Sequence, residues 1–179
     1  MTSVTLRPAT AADAEALEAL IARSVHALQA DTYTREQREA ALGTVFGVDH
    51  RLIADGGYFI AELDGAIVGC GGWSDREALY GAHGPAQSDG PRVNPRSGPA
   101  RVRAFFVDPA HARRGVGRAL LQASEDAARA AGFTRAALGA TLAGEPFYTA
   151  CGYVPLARTE ADLPGGASLV VIQMEKSLL

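Results

Sequence analysis

At 179 residues, 47% of them hydrophobic and 21% charged, the chain is long enough to bury one core and too apolar to be disordered as a whole. A formal net charge of −3 argues against nucleic acid as the main partner, and two distant cysteines, Cys70 and Cys151, exclude a disulfide framework or a zinc cluster. The opening MTSVTLRPAT has neither the basic start nor the apolar run of a signal peptide, and no stretch reaches the length of a membrane span, so a cytoplasmic protein with no membrane partner is expected.

In chain order, Val4 and Leu6 alternate with Thr5 and Arg7, which predicts a short strand closed by Pro8. Thr10 then precedes AADAEALEALIARSVHAL, where Leu17, Leu20, Ile21, Ser24, Val25 and Leu28 share one helical face; residues 11–29 read as an amphipathic helix. After the polar, aromatic connection Ala30–Tyr33, Thr34 and Gln37 have the spacing of a capping box and open a second helix that stops near Gly43. Tyr58–Leu63 and Ala66–Trp73 are apolar runs joined by Asp64-Gly65, a pair that supplies the positive φ values of a tight hairpin. Residues 74–98 scatter seven glycines and prolines among polar residues and read as a long loop, mobile or folded over a site.

From Ala100 a strand begins whose run Val102, Ala104, Phe105, Phe106 and Val107 is apolar enough for burial on both faces. Arg113-Arg114-Gly115-Val116-Gly117-Arg118 follows, then an Ala-rich helix that stops at Gly132. A right-handed crossover places the next strand, 134–140, parallel to the strand at 101–107. Gly144-Glu145-Pro146 starts a short helix, Gly152 ends it, and Tyr153-Val154 begins a strand; Ser168–Met174 forms the last one after the Pro164-Gly165-Gly166 turn. A strand that runs through glycines into a helix N-terminus is a place to hold a phosphorylated ligand, because unpaired N–H groups and the positive dipole end point the same way.

With these elements in order, the sequence resembles the GNAT superfamily of acyl-coenzyme A-dependent N-acetyltransferases. Two motifs carry the resemblance: the turn with Gly115 and Gly117, and the block Phe147-Tyr148-Thr149-Ala150-Cys151-Gly152-Tyr153. Two positions depart from the family pattern. Ala112 stands where Gln or Arg is usual, and the Asn often found before the short helix is missing from Thr141-Leu142-Ala143-Gly144.

The resemblance implies an α/β (α+β) fold over residues 1–179 as a single N-acetyltransferase domain, its mixed, mostly antiparallel sheet of six or seven strands flanked by helices and splayed between the parallel strands 101–107 and 134–140. It implies acetyl-CoA as cosubstrate without a metal, an amine acceptor that is a small molecule or a protein, and a homodimer as a common assembly. Coenzyme pyrophosphate is expected on the amides of Arg113, Arg114, Gly115, Val116, Gly117 and Arg118, with Phe147 beside them. Backbone groups of Phe106 and Val107 are expected on the pantetheine and the acyl oxygen, the side chains of Phe105 and Phe106 belonging to the core.

Tyr148 matches the family's tyrosine at the coenzyme sulfur. Since a thiol has a pKa of about 8.5 and a phenol about 10, full proton transfer to the thiolate is uphill by roughly 2 kcal/mol, and a hydrogen bond that stabilises the thiolate is the expected role. The acceptor amine, with a pKa of about 10.4, must lose a proton at a cost of about 4.6 kcal/mol at pH 7. Glu62, Asp75, Glu77 and His83 are the candidate bases, each also readable as a solvated surface group. Trp73 and Tyr80 are candidates for an acceptor pocket or for core and rim packing, and Cys70 and Cys151 read as small buried apolar residues rather than nucleophiles. His26, His50, His83 and His111 lack metal-ligand spacing. Two other readings stay open: a coenzyme-binding sensor that transfers nothing, and a nucleotide-binding enzyme, which the missing Gly-Lys-Ser/Thr phosphate loop disfavours.

Overall fold

The computed structural model describes residues 3–81 and 90–179. Strand β1 (Thr5–Pro8) leads through a single 3-10 turn into α1 (Ala14–Leu28), where Thr10 and Asp13 cap each other reciprocally. The capping box expected at Thr34 forms: Gln37 N–H donates to Thr34 Oγ1 at 3.1 Å and Thr34 N–H to Gln37 Oε1 at 2.9 Å, opening α2 (Arg35–Ala41). A helix absent from the sequence reading follows, α3 (His50–Asp55), with Asp49 as its N-cap and Gly56 left-handed at its end.

Strands β2 (Tyr58–Leu63) and β3 (Ala66–Ser74) form the hairpin, with Asp64 at φ 52° and Gly65 at φ 79° in the turn. Then come β4 (Ala100–Val107), α4 (Val116–Ala130), β5 (Arg135–Thr141), α5 (Glu145–Ala150), β6 (Val154–Asp162) and β7 (Ser168–Ser177). The seven strands of the described residues make one sheet in the order β1-β2-β3-β4-β5-β7-β6, and among them only the neighbours β4 and β5 run parallel.

Successive residues of the sheet feed opposite cores. Ile60 joins Leu17, Leu20, Ile21 and Val25 of α1, whereas Ala61 joins Val116 and Leu120 of α4. Gly69 lets α4 come down on β3, since a Cβ there would stand 2.7 Å from Val116 Cγ1. Along β4 the expected burial on both faces is only partial. Val102 and Phe106 are buried, but Phe105 and Val107 are half-exposed, because the strand is bulged and one edge of it is open.

That open edge positions the site. β4 pairs with β5 only at Ala100↔Ala136 and Arg101↔Ala137, while it follows β3 to Val107 and β5 follows β7 to Thr141. Past Arg101 the sheet therefore divides into two halves that diverge.

Candidate active site

The gap between the diverging strands is a cavity of about 900 Å³. The α4 turn forms one end of it. Arg113 and Gly115 are both left-handed, φ 61° and 85°, and Gly115 is the N-cap of α4 with no side-chain hydrogen bond. No acidic residue stands in the first turn of α4. The first N–H groups of a helix have no intrahelical partner, so here they and the dipole face outward without a cap.

Gly115, Gly117, Arg113 and Arg118 all line the cavity. Val116 does not: its side chain is buried against β3, which leaves only its main chain for a ligand. Arg114 is exposed on the turn outside the cavity lining.

Phe147 and Tyr148 bring the second motif to the first. A Cβ on Gly117 would lie 3.4 Å from Phe147 Cζ and 3.7 Å from Val107 Cγ2, so the glycine seats the Phe147 ring over the helix start and beside the end of β4. Gly144, whose N–H donates to Thr141 Oγ1 at 3.0 Å, leaves room for the Tyr148 ring. That ring meets Phe105, Phe147 and Tyr153 edge to face at centroid distances of 6.3, 5.0 and 5.8 Å. Burial pushes the Tyr148 phenol well above its ordinary pKa, so it stays protonated and can donate. Tyr153 is fixed in turn, its hydroxyl donating to the buried Glu125 at 3.1 Å, with Lys176 Nζ 2.9 Å from the same carboxylate.

The other end of the cavity is walled by residues that carry no motif: Ser24 and Leu28 of α1 with its C-cap Gln29, Val45 and Phe46, Leu79 and Tyr80, and Val171 of β7. Phe106 turns its ring to this side and meets Phe46 edge to face at 6.1 Å. Gly139 of β5 admits Tyr80, whose Cδ1 would be 3.0 Å from a Cβ. Trp73 belongs elsewhere, packed on Phe133 at 6.0 Å. The signal for this wall was Ser24 on an otherwise apolar helical face; Val45, Phe46 and Leu79 gave none.

Tyr33 ties the wall to the ends of β5 and β7. β5 and β7 pair up to Thr141↔Val171, and at the next rung the Tyr33 hydroxyl replaces the direct bond, accepting from Leu142 N–H at 3.0 Å and donating to Val170 O at 2.7 Å.

The candidate bases fall outside this geometry. Glu62 pairs with Arg7 at 2.8 Å and Asp75 with Arg92, and neither they nor Glu77 line the cavity. His83 lies outside the described residues. Among the described residues the cavity lining contains no carboxylate. Cys70 is buried, and burial pushes its thiol up to about 12; Cys151 is half-buried rather than buried as the sequence suggested. No group of three His, Cys, Asp or Glu placed to hold a metal ion occurs among the described residues.

Residues 18–153 match the Acetyltransferase (GNAT) family. The chain belongs to that family. Among solved structures it is similar to a GCN5-related N-acetyltransferase of Rhodopseudomonas palustris, with 27% identity, a TM-score of 0.72 and coverage of 99% of this chain and 98% of the other. The fold is also shared with YncA of Salmonella typhimurium, solved with acetyl-CoA, at 20% identity, TM-score 0.63 and coverage of 99% and 95%. It recurs in the PaiA N-acetyltransferase of Thermoplasma acidophilum, solved with coenzyme A, at 16% identity, TM-score 0.65 and coverage of 98% and 99%. No curated protein sequence matches significantly. The GNAT fold expected from the sequence is present, with seven strands and the splay between β4 and β5. No helix among the described residues is long and apolar enough to cross a membrane.

Proposed function

We propose that this GNAT chain, as one domain over residues 1–179, transfers the acetyl group of acetyl-CoA to a primary amine by direct attack within a ternary complex. The observation that carries the reading is the uncapped N-terminus of α4 at one end of the β4–β5 gap, with Phe147 seated on Gly117 and Tyr148 beside it. Acetyl-CoA supplies the activated thioester. The amides at 113–118 hold pyrophosphate, each helix-end interaction contributing roughly 0.3–2 kcal/mol, and Arg113 and Arg118 add charge. The open edge of β4, which includes Phe106 and Val107, binds the pantetheine, and a main-chain donor of β4 faces the developing oxyanion.

Tyr148 donates a hydrogen bond to the departing thiolate. Its raised pKa makes complete proton transfer still more uphill than for a free phenol, so stabilisation without transfer is its role. The acceptor, a small molecule or a protein, enters along the apolar wall of Leu28, Phe46, Leu79 and Tyr80. A monoamine on an apolar body suits this wall, since additional ammonium groups would be desolvated with no carboxylate among the described lining residues. Cytoplasmic location, a homodimer and the absence of nucleic-acid partners complete the reading.

Purified protein incubated with acetyl-CoA and a panel of amines, with free thiol as readout, tests it. Amine-dependent thiol release is the expected result. Release that is independent of every amine would reduce the activity to hydrolysis, and binding of coenzyme A with no release at all would make the chain a sensor.

A further inference from the structure

Ala104 sits in the left-handed region at φ 59°, inside β4 and next to the gap. The cause is a bulge: Cys70↔Phe106 and Gly72↔Arg103 are paired, so Ala104 and Phe105 together oppose Gly71 alone. Bulges of this form normally place glycine at the first position, and an alanine there is strained unless its surroundings hold it. They do so from beneath. Tyr58, a fully buried tyrosine of β2, reaches under β3 and donates from its hydroxyl to Ala104 O at 3.0 Å, with Cys70 Sγ 3.2 Å from the hydroxyl oxygen and 3.9 Å from Ala104 O. On the other flank Arg103 is pinned by a buried ion pair with Asp49, the N-cap of α3.

We propose that Tyr58 is a positioning residue for acyl transfer: it holds the Ala104–Phe105 peptide so that the Phe105 N–H faces the gap between β4 and β5. The C=O and N–H of a trans peptide point in opposite directions. A hydroxyl that binds Ala104 O from beneath β3 therefore turns the Phe105 N–H up and away from β3, toward the open edge where the thioester oxygen would lie. The same bulge lays the Phe105 ring on Gly71, where a Cβ would stand 2.7 Å from it, and sets that ring edge-on to Tyr148. One buried hydroxyl thus aligns both an amide donor and the ring that packs on Tyr148. The inference rests on the acetyl-transfer reading above.

Tyr58→Phe keeps the core filled and deletes only the hydroxyl; Ala104→Gly removes the strain that the hydroxyl offsets. In Tyr58→Phe, kcat is expected to fall about tenfold with the Kd for acetyl-CoA within about twofold, and the Phe105 amide resonance of the coenzyme-free protein is expected to move. Adding Ala104→Gly is expected to restore most of the lost kcat and to return the resonance toward its original position. A Tyr58→Phe protein with unchanged kcat and an unmoved Phe105 resonance would overturn the proposal. So would a loss of kcat that follows a lowered melting temperature and is not reversed by Ala104→Gly. If the native chain acetylates no amine, the acetyl-transfer reading fails on its own, and the Phe105 resonance still decides whether Tyr58 sets that peptide.

Discussion

The two ends of the β4–β5 gap are made of different material. At the α4 end the recognition surface is mostly main chain, with Arg113 and Arg118 beside it, framed by Gly115 in a left-handed cap and by Gly117, which has no side chain to exclude Phe147. At the acceptor end the surface is side chain, contributed by four segments far apart in sequence: α1, residues 45–46, residues 79–80 and β7. A main-chain cradle tolerates few residue types, whereas an apolar wall accepts any side chain of suitable volume. Substitutions at the first end should therefore act on coenzyme affinity and turnover, and those at the second on the amine alone.

The largest effect is expected from Gly117→Trp. An indole at this position must displace Phe147 from the helix start, and coenzyme A affinity should fall more than about a hundredfold by calorimetry. Near-native affinity would remove the pyrophosphate from the α4 turn. Tyr148→Phe should lower kcat on the order of tenfold to a hundredfold while leaving acetyl-CoA affinity nearly intact. Because burial holds the phenol protonated, the pH profile of the native enzyme should show no loss of activity from Tyr148 ionisation below about pH 10, only the rise caused by the acceptor's own deprotonation. Full activity of Tyr148→Phe would refute the thiolate role. At the opposite end, Tyr80→Ala should raise the KM for the amine about tenfold without altering coenzyme affinity. A change in coenzyme affinity instead would erase the distinction between the two ends.

The smallest effect concerns stability in acid. Hydrogen bonding from Arg7 holds the Asp13 carboxyl below its usual range, and Arg76 does the same for Asp55. At Asp108, burial works upward but is outweighed by Arg23 and the Ala110 N–H, with His111 adding to them. Groups with depressed folded pKa values stabilise the fold above their unfolded pKa, about 3.9, and lose that contribution as pH falls through the folded values. The melting temperature should thus be insensitive to these groups at neutral pH and decline below about pH 4, as the stability falls by at most about 1 kcal/mol for each partly exposed pair. A melting temperature that holds constant down to about pH 2 would contradict this.

The elements that position the coenzyme end were legible because each has a local cause. The Thr34 box, the Asp64-Gly65 turn, the glycines of the α4 cap and the Pro146 start of α5 all act within a few residues of themselves. Helix α3 was not legible, although Asp49 and Gly56 bracket it, because six residues are too few for periodicity to show. The Ala104 bulge was invisible for another reason. An alanine in an apolar strand gives no sign of positive φ, and the tyrosine that holds it is 46 residues away. Tyr33 presents the same difficulty, since its two hydrogen bonds reach to Leu142 and Val170. The acceptor wall depends wholly on such distant juxtapositions.

The central claim, a coenzyme A cradle in the gap with pyrophosphate on α4, is tested most directly by thermal melting with acetyl-CoA and with ATP. A ligand at about a hundred times its Kd adds about 2.7 kcal/mol, which for a chain of this size raises the melting temperature by roughly 5–10 °C. Acetyl-CoA should produce that rise in the native protein and not in Gly117→Trp, and ATP should produce none. A rise with ATP and none with acetyl-CoA would contradict the assignment.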